Sequence, residues 1–261
     1  SRSWGAEYVG RIPVPNSSLS LRDRIGGLAR RIHDAKADWD RGNEISSAFC
    51  SPWLARVAGE TLSERLSVVA DQESELDQAI RAIFAELNTL VYELFRIAAV
   101  DRRVIEQTLG KRPSESIWPQ LENRDVDQKR MEHVWRLLSF SVKRAVEADH
   151  DGIVPFSPVT GETRLVDRIR RELAAVFPNR DEGQLEVEFV NELRRGAKGY
   201  RKCASLDEWL ADAFFDYHTS LYKGRPIFWH IASSQGATPF AFGAVVHSHR
   251  FDKNRMAKLR A

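Results

Sequence analysis

The longest periodic run in the chain sets the fold class. Between Thr61 and Gln107 the residues Leu62, Leu66, Val69, Leu76, Ile80, Ile83, Phe84, Leu87, Leu90, Val91 and Leu94 keep helical spacing, with acids on the opposite face. One long helix, or two with a break near Ala98, is expected. The same spacing recurs in Leu21, Ile25, Leu28, Ile32, Ala35 and Trp39, ended by Gly42-Asn43, and in Met131, Val134, Trp135, Leu138, Val142 and Val146. Leu165, Ile169, Leu173 and Val176 form another helical face, stopped by Pro178. The capping-box pattern Ser205-x-x-Glu208 opens a helix whose apolar face is Leu206, Trp209, Leu210, Ala213, Phe214, Tyr217 and Leu221.

Strand chemistry enters late. Ile227 to Ile231 and Phe240 to Val246 are rich in aromatic and β-branched residues, and Ser233 to Pro239 between them is turn-forming. They read as a β-hairpin with a seven-residue loop, followed by a basic helix from about Asp252. A short extended piece after Asp151-Gly152 and an extended leader over residues 11–19, with Pro13 and Pro15, complete the pattern. The expected architecture is mainly α: a helical bundle or spacer with one late hairpin. The Pro113 and Pro119 linker divides it into segments 1–110 and 124–261. Trp39, Leu87, Leu94, Trp135, Trp209 and Phe214 are the expected core. The alternation in the first strand requires one aromatic set to pack on the helix of Trp209, Phe214 and Tyr217, because a two-stranded ribbon is not stable alone.

Composition excludes several function classes. At 43% hydrophobic and 29% charged residues the chain is that of a folded protein, and no run approaches the roughly 18 apolar residues of a membrane span. Cys50 and Cys203 are its two cysteines, too few for a disulfide framework, which suits a reducing cytoplasm. The start at Ser1-Arg2-Ser3 has no leader pattern and reads as a fragment boundary. There is no Gly-x-Gly-x-x-Gly, no phosphate-binding loop and no nucleophile elbow. His247-x-His249 is the one close histidine pair, and two histidines on one strand face read as hydrogen-bonded residues rather than a metal site. Asp207, Glu208, Asp212 and Asp216 read as the wet face of their helix, and Asp149-His150-Asp151 as a polar turn. No catalytic and no metal-binding residue is expected.

Charge is distributed unevenly. The net charge is +2, but residues 61–128 carry 8 basic and 13 acidic side chains, whereas the last 41 residues carry 7 basic and one acidic. Two cationic clusters are candidate double-stranded DNA contacts. The first is Arg194, Arg195, Lys198, Tyr200, Arg201 and Lys202, in a glycine-containing loop that follows a phosphate backbone or stays merely solvated. The second, Lys223, Arg225, Arg250, Lys253, Arg255 and Lys258, brackets the hairpin. Asp252, Asp216 or Asp212 offers the competing use of Arg225 and Arg250 in an internal ion-pair network, which is favoured for Arg225. The phosphate role is favoured for Lys253, Arg255 and Lys258.

The segment Tyr222-Lys223-Gly224-Arg225-Pro226-Ile227-Phe228-Trp229-His230-Ile231-Ala232-Ser233-Ser234, followed by Val246-His247-Ser248-His249-Arg250-Phe251-Asp252, resembles a signature of large adenine-specific DNA methyltransferases. That signature, downstream of the catalytic domain, is K-R-P-I-Y-W-x-x-x-S … Y-x-H-R-Y-D. PglX-type enzymes of BREX phage-defence systems resemble the chain best, with single-chain restriction–methylation enzymes as relatives. Ala37-Asp38-Trp39-Asp40, the run Leu87-Asn88-Thr89-Leu90-Val91-Tyr92-Glu93-Leu94-Phe95 and Ile12-Pro13-Val14-Pro15 are similar to other family segments in the same order. The Phe-x-Gly-x-Gly cofactor loop and the Asn-Pro-Pro-Tyr/Phe motif are absent. The resemblance therefore implies a non-catalytic DNA-binding or scaffold fragment that holds no cofactor itself. Its parent would be a site-specific adenine methyltransferase using S-adenosylmethionine on an extruded base. A module that docks other defence-system subunits through the acidic helical segment is the alternative.

Overall fold

The computed structural model describes residues 10, 11, 13, 15–110, 115–232 and 243–250. Among them are nine α-helices and a three-stranded antiparallel sheet, so the chain is mainly α with a minor β component. It divides into two units that are each discontinuous in sequence: Ser1–Trp39 with Glu73–Glu122, and Asp40–Gln72 with Asn123–Ala261. The segments 1–110 and 124–261 read from the sequence are, by contrast, consecutive.

In the first unit, α1 (Leu19–Asp40) packs on the later turns of α3 (Leu62–Leu94). Leu28, Ile32, Ile83 and Leu90 form the buried cluster, with Leu21, Ile25, Phe84 and Leu87 around it. Leu87 and Leu94, expected in the core, are only half-buried; Ile83 and Leu90 hold the deep positions. Arg24 pairs with Glu86 at 2.7 Å, and Trp39 meets Trp118 edge-on at 6.0 Å. The chain breaks after α3 as its spacing requires, and α4 (Ala99–Leu109) follows with Ala98 at its N-cap. α4 buries no residue.

In the second unit, α5 (Val126–Glu147) is the central helix, with Met131, Val134, Trp135, Leu138, Val142 and Val146 buried as the spacing requires. The short α2 (Trp53–Arg56), α6 (Leu165–Val176) and α7 (Glu182–Arg195) surround it. The expected single helix from Ser205 is two, α8 (Leu206–Asp212) and α9 (Phe214–Leu221), broken where Ala213 leaves helical geometry at φ −130°. The N-cap half of the capping pattern forms, Ser205 Oγ accepting from Glu208 N at 3.1 Å, while the Glu208 carboxylate accepts from Ala204 N at 2.7 Å rather than from Ser205 N. Trp135, Trp209 and Phe214 are buried as expected.

The hairpin strands are β2 (Phe228–Ala232) and β3 (Gly243–His247). They do not stand alone, because β1 (Ile153–Pro155) pairs antiparallel with β3, giving the order β1-β3-β2. Phe228 is buried and stacks on His218 of α9 at 5.1 Å, while its neighbour Trp229 is 44% exposed. The strand alternation therefore resolves as expected, with the Phe228 set facing the helix. The expected seven-residue loop at 233–239 and the basic helix from Asp252 lie outside the described residues.

Candidate nucleic-acid interface

Buried polar groups in the second unit surround α5 and hold the start of the resemblance segment in place. Glu132 and Arg136, one turn apart on α5, are both buried and bonded at 2.7 Å. The Glu132 carboxylate also accepts from Tyr200 Oη at 2.6 Å and Tyr217 Oη at 3.2 Å. Arg136 donates to Asn43 Oδ1 at 2.7 Å. A buried ion pair is tolerable only when its remaining donors and acceptors are satisfied, and here two tyrosines and an asparagine do so. Two turns further along α5, Lys143 lies 3.8 Å from Glu44, which also accepts from Tyr222 Oη at 2.9 Å. Burial holds the Glu44 carboxyl above its ordinary pKa, against the opposing pull of Lys143 and the Tyr222 bond. Tyr222, the first residue of the resemblance segment, is thereby tied to Glu44, close behind Ala37-Asp38-Trp39-Asp40.

Past Tyr222 the chain turns sharply into the sheet. Lys223 N donates to Ser220 O at 3.1 Å and Gly224 N to Thr219 O at 2.8 Å, the paired bonds of a Schellman helix end. Lys223 takes the left-handed position at φ 53°, where glycine is usual, and Gly224 follows at φ 77°. Both Lys223 and Arg225 are exposed on this turn.

The predicted contact residues that bracket the hairpin fall into three groups. Lys223 and Arg225 are brought together on the exposed turn, and Asp212, offered as a neutraliser of Arg225, is bound instead to Arg201 at 2.7 Å. Arg250 is half-buried and donates to the Asp149 carbonyl at 2.9 Å. Lys253, Arg255 and Lys258 lie outside the described residues.

The 194–202 cluster is not a free loop. Arg194 and Arg195 form the last turn of α7, a helix the sequence reading did not expect. Arg194 donates to Ala204 O, and Arg195 pairs with Asp127. The Lys198 carbonyl accepts from Gln128 at 2.8 Å, while the side chains of Lys198 and Lys202 face solvent. Tyr200 spends its hydroxyl on Glu132 and sets its ring edge-on to Trp135 at 5.2 Å, so it is a packing residue rather than a stacking platform. His247 ends β3 whereas His249 lies in a 3-10 turn, so the two do not share a strand face; their rings are 5.8 Å apart. Among the described residues no cluster of three or more His, Cys, Asp or Glu could hold a metal. Asp149 is a turn residue, its Oδ1 accepting from Asp151 N and Gly152 N.

The sequence reading missed Glu44, Glu132, Arg136 and His218. The available signal was Glu132 and Arg136 at helical spacing inside the apolar phase of Met131 and Trp135, where a charge is costly unless paired.

Fold and site define a mainly helical chain with a small antiparallel sheet and an exposed cationic turn at the sheet's entrance. No protein-family model matches it. It is similar to the adenine-specific methyltransferase BrxX of Escherichia coli O9:H4 (strain HS), 26% identical over 119 residues, 43% of this chain and 10% of that protein. The aligned region thus spans about a tenth of the relative. Among the described residues no helix is long and apolar enough to cross a membrane.

Proposed function

We propose that this chain is a non-catalytic, duplex-facing part of a phage-defence adenine-specific DNA methyltransferase. The observation that carries the reading is the 26% identity to an adenine-specific methyltransferase. It is supported by an exposed lysine held in a backbone conformation that disfavours any side chain. A lysine at a position where glycine costs less supports a use of its charge.

Lys223 and Arg225 would contact phosphate oxygens, joined by Arg250 and by Lys253, Arg255 and Lys258 from the basic end of the chain. Such contacts fix position and carry no sequence information. S-adenosylmethionine and the extruded adenine belong to the parent's catalytic domain in this reading. This chain carries neither the glycine-rich loop nor the Asn-Pro-Pro motif for them, so no chemical step is assigned to its residues.

The test is titration of the full chain with duplexes of unrelated sequence at two salt concentrations. Binding is expected to be sequence-tolerant and to weaken steeply with salt, with a log–log slope of about −5 if six cations meet phosphates. Absence of binding at low salt would overturn direct DNA contact.

A further inference from the structure

We propose that His218 is a positioning residue for the cationic turn: its imidazole clips the two amides that open β2 and so sets where Lys223 and Arg225 stand. His218 Nε2 lies 3.1 Å from Ile227 N and 3.3 Å from Phe228 N. Both partners are N–H donors, so Nε2 must be the acceptor. A proton on it would set donor against donor, which fixes a neutral ring with its hydrogen on Nδ1. The ring is fully buried, 4.7 Å from the Tyr222 ring, 5.4 Å from Phe214 and stacked at 5.1 Å on Phe228. Lys143 on α5 and Tyr222 are the titratable groups around it, and burial together with the Lys143 charge pushes the imidazole down to about 4.

The clip closes the chain on itself. Tyr222 N bonds the His218 carbonyl at 3.0 Å, so one residue holds both the last turn of α9 and, through its side chain, the start of β2. Ile227 is gripped from the other side as well, since its carbonyl accepts from Ser248 N at 3.0 Å and Ser248 Oγ at 2.8 Å. Residues 223–226 are therefore a turn held between fixed points. β2 is an edge strand and Ile227 precedes it, so the Phe228 amide on the open side would lack a sheet partner without the ring.

The part of this inference that concerns DNA rests on the proposed function; the clip itself does not. Nitrogen NMR of the His218 ring is expected to show a bare Nε2 and a protonated Nδ1 from about pH 8 to about pH 5.5. In His218→Phe, which keeps the bulk but not the acceptor, amide exchange at Ile227 and Phe228 is expected to quicken by about ten-fold or more. His218→Gln, whose amide oxygen can take the place of Nε2, is expected to restore protection and duplex affinity. An Nε2–H ring, or one that titrates near 6.5, would overturn the clip even if His218→Phe failed to fold. Unchanged exchange in a folded His218→Phe would do the same. If the wild-type chain binds duplex and His218→Phe binds it equally, the positioning role is wrong. If the wild-type chain binds no duplex while the ring and exchange results hold, the clip stands and the proposed function fails.

Discussion

Tyr200 sits in a run of cations, and by composition it could stack on a base; its hydroxyl lies instead 2.6 Å from the buried Glu132 carboxylate. Tyr200→Phe removes that bond and leaves the ring in place. A loss of about 1 kcal/mol in a denaturant melt is expected, with duplex affinity unchanged. A fall in affinity without loss of stability would restore the stacking role. Gly42 is a steric case. A Cβ there would lie 2.4 Å from the Trp53 indole, a ring that also receives His133 edge-on at 5.3 Å. Gly42→Ala is expected to cost about 1–3 kcal/mol, and a melt equal to wild type would show that the Trp53 packing is not as described. The buried histidines contribute to the acid limit. Unfolded, His218 takes a proton near 6.5; folded, only near 4. Unfolding therefore takes up a proton in that interval, and the stability His218 carries above about 6.5 drains away as the pH falls to about 4. The difference in stability between wild type and His218→Gln is expected to lose about one proton's worth of slope across that window, and a pH-independent difference would contradict it. His133, pushed down to about 3 by burial, acts in the same direction, while the raised Glu44 acts against both.

Elements were legible where local signals agree and illegible where distant contacts decide. The N-cap at Ser205 and the apolar phase of α5 are legible directly. Two reciprocal capping boxes stand in plain sequence: Thr61 Oγ1 accepts from Glu64 N at 3.1 Å, and Asp125 Oδ1 from Gln128 N at 2.8 Å. α7 escaped because Leu185, Phe189 and Leu193 are a thin stripe, and its closing Arg194-Arg195 ran on into a cluster that looked like loop. The partnership of β1 with β3 joins residues some ninety positions apart, Ile153 with Val246 for instance, which no local pattern encodes. In the proposed function the Schellman end of α9 is the element that matters most. Lys223→Gly relieves the left-handed strain and is expected to raise stability by about 1 kcal/mol while weakening duplex binding. A variant that gained stability and kept full affinity would leave Lys223 without a role in binding.

At the scale of the whole molecule, the sequence showed a mainly helical chain with its positive charge gathered late, and a resemblance that the 26% match to BrxX supports. It did not show which cations are already spent. Arg194, Arg195, Arg201 and Arg250 each bond a group of the protein itself. That sorting depends on where acids and carbonyls arrive in three dimensions. Among the described residues, Lys223 and Arg225 remain exposed at the sheet entrance, fixed between a tyrosine anchored on Glu44 and an amide pair held by His218.

The most direct test of this account compares the full chain with the double variant Lys223→Glu, Arg225→Glu, titrated with unrelated duplexes at two salt concentrations. Unchanged melting, weaker binding to every duplex alike and a log–log salt slope shallower by about 2 are expected. Identical affinity and slope in a folded double variant would contradict it.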